Sequence, residues 1–197
     1  MDLTQGTIEE KTKRAKKMML WFGIVSLIMS FAGLTSAFIV SSSREDWLTD
    51  FELPQAFIIS TILILISSVT MYLSKKSLKN DNRSMTGLFL WVTFGLGIAF
   101  VISQIRGFEE IMASGYYFTG ASSNITMSYI YVIAALHIAH VVAGLISLIV
   151  VIYNHYKQKY KSDDMLGFEL ASTFWHFVDV LWLLLFFFLY FFRYFFG

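Results

Sequence analysis

Residues 171–196 read ASTFWHFVDVLWLLLFFFLYFFRYFF, a run in which Asp179 is the one acid or base well inside. A helix needs about 20 mainly apolar residues to cross the hydrocarbon core of a bilayer, and this run exceeds that length. Four further windows qualify, at 18–40, 55–73, 85–105 and 125–153. The polar connectors between them, centred on 41–54, 74–84, 106–124 and 154–170, are too short for a folded domain of their own. The expected fold is an all-α membrane protein, a bundle of five transmembrane helices. Residues 1–17 form a leading segment and 18–197 the transmembrane domain.

Composition agrees. Of 197 residues, 56% are hydrophobic and 15% charged, whereas a soluble domain carries roughly 25% charged residues. The mean hydropathy is +0.62. The absence of cysteine removes disulfides, iron–sulfur clusters, thiolate zinc sites and cysteine nucleophiles together. A net charge of +1 offers no field for nucleic acid.

Lysines and arginines collect at alternate ends of the windows. Lys11, Lys13, Arg14, Lys16 and Lys17 precede the first, Lys75, Lys76, Lys79 and Arg83 follow the second, and Lys157, Lys159 and Lys161 follow the fourth. The opposite ends hold Arg44, Arg106 and Arg193. Basic connectors stay in the cytoplasm, so the N-terminus is expected inside and the C-terminus outside. The first window is longer than the 7–15 residues of a signal-peptide core and has Glu9 and Glu10 ahead of it, which predicts a retained helix. Neither end carries a lipidation motif. Pro54 stands at the start of the second window, where its missing N–H costs nothing. Gly23, Ser26, Ser30, Gly33 and Ala37 recur along the first window, a pattern that predicts close helix approach.

Ionisable groups inside a bilayer are costly, so each asks for a reason. His137 and His140 share one face of the fourth window, as His176 and Asp179 share one face of the fifth. Glu169 lies about two turns before His176. Gln104 and the acids Glu109 and Glu110 gather where the third window ends. Imidazoles on adjacent helices could ligate haem, and His with Asp or Glu could hold iron or zinc. Four histidines are fewer than a membrane histidine-box enzyme uses, and repeated Glu-x-x-His pairs for a di-iron site are missing. The expectation is a structural polar core in which these groups pair with one another or with carbonyls, joining the last two helices. Catalytic residues and metal ligands are expected to be absent. The first three windows lack interior ionisable groups, and no helix-breaking proline marks a midplane substrate site, which argues against an autonomous transporter. Nucleotide-binding and hydrolase motifs are also missing.

The run Gly167-Phe168-Glu169 followed by Trp175-His176-Phe177-Val178-Asp179-Val180-Leu181-Trp182 resembles subunit III of haem–copper terminal oxidases. Leu136-His137-Ile138-Ala139-His140-Val141-Val142-Ala143-Gly144 is similar to that family's His-x-x-His-x-x-x-Gly segment. Glu52-Leu53-Pro54 resembles its Glu-x-Pro helix start, and Gln104 with Glu110 its Gln-to-Glu helix exit. The resemblance covers residues 20–197 and matches the family's five-helix form. It implies a non-catalytic subunit of a proton-pumping cytochrome c oxidase in a bacterial-type cytoplasmic membrane. Such a subunit packs against subunit I, in one complex with subunit II. Haems and copper belong to the partners, and this chain holds phospholipid and supports proton uptake. His137, His140, Glu169, His176 and Asp179 would then be the polar core. Trp175, Trp182 and Arg193 would contact lipid or a partner, and Glu52, Gln104 and Glu110 would be polar groups near the loops. One departure stands out: many members carry a carboxylate in the first of these helices, where this chain reads Ser26-Leu27-Ile28-Met29-Ser30. Rival readings are a quinol oxidase subunit III, a stand-alone haem or metal enzyme using His137, His140 and His176, and a lipid-binding assembly factor.

Overall fold

The computed structural model describes residues 6–48, 53–120, 123–160 and 164–196, with the side chains of 193–196 outside the described set. Five helices follow in order: α1 (Ile8–Ser41), α2 (Gln55–Lys79), α3 (Arg83–Ala113), α4 (Ile125–Tyr156) and α5 (Leu166–Phe196). Each is long and apolar enough to span a membrane. Helices are the form the bilayer demands here, because every backbone N–H and C=O must find its partner within the segment. No strand occurs among the described residues beyond an isolated bridge between Tyr117 and Ser123.

The helices overrun the apolar windows. Residues 8–17 continue α1 without a break, and Glu169 lies in the first turn of α5 rather than in a connector. Hydropathy registers only the hydrocarbon-embedded part of a helix, whereas polar turns beyond it are held by caps. Thr7 Oγ1 accepts from the Glu10 N–H at 3.3 Å, and Glu10 Oε2 accepts from the Thr7 N–H at 3.0 Å. This reciprocal capping box satisfies two orphan donors at the start of α1. Asn82 and Asn124 cap α3 and α4 by accepting from the N–H groups of Met85 and Thr126. The turn from α2 to α3 places Asp81 at φ 54°, a left-handed conformation that a short polar side chain tolerates.

Helices α2, α3, α4 and α5 form a ring in which each packs on the next, and α1 lies outside it against α4 and α5. Buried positions repeat every seven residues: Phe57, Ile64, Met71 and Leu78 in α2, Phe168, Trp175, Trp182 and Leu189 in α5. That period matches left-handed, coiled-coil-like bundle packing. Helix α1 buries only Ile24, Phe31 and Phe38, again seven apart. Gly23 and Gly33 have nothing within 4 Å of a Cβ placed on them, so the small residues of α1 do not serve close packing in this bundle. Trp47 packs edge-on against Phe38 at 4.8 Å between ring centroids, closing that end.

Candidate functional site

The bundle core is layered around two tryptophans. Trp175 and Trp182, expected at a lipid or partner surface, are instead buried on the inner side of α5. Their indole N–H groups donate to Ser67 Oγ and Thr61 Oγ1 of α2, each at 3.0 Å. An indole turned to the core needs such an acceptor, since its N–H would otherwise be unpaired in hydrocarbon. The Trp175 ring fits because α3 and α4 present glycines to it. A Cβ on Gly97 would meet Trp175 Cη2 at 2.7 Å, and one on Gly144 would meet Trp175 Cε3 at 3.0 Å.

The five groups expected to form one polar core are distributed over separate places. His137 is fully buried, 5.1 Å from the Trp182 ring centroid and 5.8 Å from that of Phe100. Neither of its ring nitrogens has a hydrogen-bond partner. His140 bonds the Leu136 carbonyl of its own helix through Nδ1 at 2.6 Å and lies edge-on to Phe31 of α1. On the other side of α5, His176 Nδ1 shares a hydrogen bond with Ser68 Oγ of α2 at 2.8 Å and lies 4.0 Å from Asp179 Oδ2. Glu169 accepts an ion pair from Lys17 of α1 at 2.9 Å. The polar groups therefore tie α5 to α2 and α1, and the expected polar seam between α4 and α5 is not formed. The reason is rotational: His137 and Asp179 project from their helices toward different neighbours.

Gln104 is buried, and its Nε2 donates to Ser60 Oγ at 2.8 Å, while Oε1 has no partner. Glu110 is exposed at the end of α3, and Glu109 pairs instead with Arg106 at 3.6 Å. Glu52 and the side chain of Arg193 lie outside the described residues. The residues that sequence reasoning missed are the hydroxyls of α2. Ser60, Thr61, Ser67, Ser68, Thr70 and Ser74 together meet side chains of α3 and α5 and, at Ser74, the Thr86 carbonyl. Their signal was the seven-residue spacing of Ser60, Ser67 and Ser74 within an otherwise apolar window.

Two apolar grooves follow α1. One, of about 390 Å³, lies between Ile28, Phe31 and Thr35 of α1 and Phe177, Leu181 and Phe188 of α5. The other, of about 460 Å³, is bounded by Leu20, Val150 and Phe174. It shares Tyr160 and Gly167 with a polar pocket that holds Lys13, Lys16, Lys159 and Asp164. Among the described residues, no three His, Asp or Glu side chains gather as metal ligands would.

Residues 4–194 match the family described as cytochrome c oxidase subunit III. The chain belongs to the cytochrome c oxidase subunit III family. Among its relatives, the cytochrome c oxidase subunit 3 of Thermostichus vulcanus is 27% identical over 83% of this chain and 80% of its own length. That of Alkalihalophilus pseudofirmus is 33% identical over 65% of this chain and 61% of its own length. The cytochrome bo(3) ubiquinol oxidase subunit 3 of Pseudomonas aeruginosa is 30% identical, over 69% of this chain and 63% of its own. This subunit III family member thus spans about three fifths of the length of several relatives it matches. The five helices among its described residues, each long and apolar enough to cross a membrane, make it an integral membrane protein.

Proposed function

We propose that the chain is the non-catalytic subunit III of a proton-pumping haem–copper respiratory oxidase. It packs against subunit I, in one complex with subunit II, in a bacterial-type cytoplasmic membrane with its N-terminus inside. Oxygen reduction to water takes place in the partners, which hold the haems and copper. The family match over residues 4–194 is the observation that carries this reading. The dispersal of the ionisable groups supports it, since His137 is enclosed by Phe100 and Trp182, and His176 points to a different helix. Orientation rests on the lysines and arginines gathered at one end of the bundle.

Phospholipid binding fits the grooves along α1. A trough lined by Leu20, Val150 and Phe174 suits an acyl chain, held by van der Waals contact rather than by a hydrophobic gain, since the chain is already in hydrocarbon. In the adjoining pocket Lys13 is paired with Glu9 and Asp164, and Lys16 and Lys159 suit a phosphate headgroup. Held lipid would support proton uptake indirectly, by keeping the subunit seated. Cytochrome c is the proposed electron donor of the complex, and the ubiquinol oxidase relative favours quinol as the second reading.

Purification of the chain with its partners, followed by native mass spectrometry and a visible spectrum of the isolated chain, tests the proposal. A colourless chain that comigrates with a haem-bearing protein and retains phospholipid is the expected result. A stoichiometric Soret band in the isolated chain would remove the scaffold role.

A further inference from the structure

The face that α1 turns to α4 and α5 changes its chemistry along the helix. Ile24, Phe31 and Phe38 are its buried side chains. Continued toward the N-terminus in steps of three or four, the same face carries Leu20, Lys17 and Lys13. None of residues 8–23 is buried. Charge fastens this half instead. Lys13 reaches Asp164, just ahead of α5, at 3.1 Å, and Lys17 reaches Glu169 in the first turn of α5 at 2.9 Å. The far half is anchored more firmly, by Phe38 packed on Trp47 and by Ser41 bonded to Tyr129 of α4 at 2.9 Å.

Both ion pairs stand where the larger apolar trough opens. Leu20, one turn beyond Lys17, is the α1 wall of that trough. Lys13 and Asp164 both line the polar pocket that joins it at Tyr160 and Gly167. Partly exposed pairs of this kind are weak and are screened by salt. Their release strands no charge. Lys13 keeps Glu9 of its own helix at 2.9 Å, and Lys75 and Lys79 of α2 also act on the Glu169 carboxylate. Lys17 and Asp164 are each more than half exposed. A buried pair would behave otherwise, since opening it leaves an uncompensated charge inside the protein.

We propose that residues 8–23 of α1 form a strap, pivoting near Ile24 and latched by Lys13–Asp164 and Lys17–Glu169, whose release widens the trough and lets its phospholipid exchange with the bilayer. Ionic strength sets how often the strap opens, because dissolved ions screen the latch while leaving the apolar half of α1 untouched. The occupant of the trough rests on the phospholipid reading above; the strap itself rests on the two ion pairs and on the exposure of residues 8–23.

The test uses the intact complex in nanodiscs, with spin-labelled unnatural residues at Ala15 of α1 and Lys157 at the end of α4. The distance between the labels is expected to lengthen and broaden as salt rises from about 0.01 to about 1 M, over which the Debye length falls from about 30 to about 3 Å. Lys17→Met combined with Asp164→Asn should show the open distances at every salt concentration, whereas Lys17→Arg, which keeps the charge, should follow the parent. Native mass spectrometry after addition of deuterated phosphatidylglycerol follows exchange of the retained lipid, identified as the trough lipid by its loss in Ser147→Phe. The unlatched variant should exchange it roughly 2- to 10-fold faster than the parent at low salt, the size that two partly exposed ion pairs allow. Distances that ignore both salt and the unlatching substitutions overturn the strap. Distances that open while lipid exchange stays constant overturn its control of the trough. If Ser147→Phe removes no lipid, the phospholipid reading fails and this inference with it, a failure that the distances by themselves do not produce.

Discussion

Trp175 donates its indole N–H to Ser67 at 3.0 Å while its ring occupies the hollow that Gly97 and Gly144 leave between α3 and α4. One side chain of α5 thus holds three other helices in register. In hydrocarbon no hydrophobic force drives helices together, so close packing and interhelical hydrogen bonds must supply the association.

Gly97→Val should therefore destabilise the bundle by about 1–3 kcal/mol, the usual cost of overpacking a filled core. A Cβ there would lie 2.7 Å from Trp175 Cη2 and 2.8 Å from Leu145 Cδ2. Gly144→Ala should cost less, since its nearest approach is 3.0 Å. Thermal unfolding in detergent gives the order, and a Gly97→Val protein as stable as the parent would show that the ring has room to move.

Trp182→Phe and Thr61→Ala remove the two sides of one hydrogen bond between α5 and α2. A double-mutant cycle should return a coupling of about 0.6 kcal/mol, and not above about 1.7, as for other hydrogen bonds between membrane helices. Strict additivity would mean that Thr61 serves only its bond to the Phe57 carbonyl at 2.7 Å.

His137→Leu should leave stability unchanged or raise it, whereas His176→Leu, which removes the 2.8 Å bond to Ser68, should lower it. Both ring nitrogens of His137 are buried without a partner, and such groups cost about 1–3 kcal/mol that an apolar side chain of similar volume does not. Melting of the two variants side by side decides the matter; a large loss in His137→Leu would reveal a partner for that imidazole.

Lys17→Met or Glu169→Gln should loosen the start of α1, which is fastened to α5 there by the 2.9 Å ion pair. Both partners are partly exposed, so the loss is small, about 0–1 kcal/mol, and shrinks further with salt. Hydrogen exchange of the first α1 amides reports it. The exchanged pair Lys17→Glu with Glu169→Lys should restore protection.

Arg44 grips Asp46 with two bonds, Nε to Oδ1 at 2.8 Å and Nη2 to Oδ2 at 3.0 Å. Those bonds hold the Asp46 carboxyl below the ordinary aspartate value of 3.8. A lowered folded value means the pairing is fully present above the ordinary one and fades as pH falls through the lowered one. The turn from Ser42 to Trp47 should keep its structure down to mildly acid pH and loosen only below it, read by exchange of the Trp47 amide, which donates to the Arg44 carbonyl at 3.2 Å.

The number of helices and their order were legible because the apolar windows are long and the connectors polar, a contrast that bilayer thickness imposes on any chain. Helix ends were legible only in part. Thr7 and Glu10 spell a capping box, yet they precede the apolar window and fell in the leading segment. The candidate polar residues were also visible, as ionisable exceptions in apolar runs. Their partners were not. Spacing placed His137 with His140 and His176 with Asp179, but periodicity within a helix leaves the facing helix undefined.

The sequence by itself determined that the chain crosses the bilayer as helices and which side chains are anomalous there, since both follow from local composition and the cost of polar groups in hydrocarbon. Only the tertiary structure decided that Trp175 and Trp182 face inward to the α2 hydroxyls, that the small residues of α1 face out, and that His176 bonds Ser68 of α2. The reason is physical: lipid and core are equally apolar, so hydrophobicity does not mark which face is buried. The rotation of each helix is set by the shapes and hydrogen bonds of its neighbours.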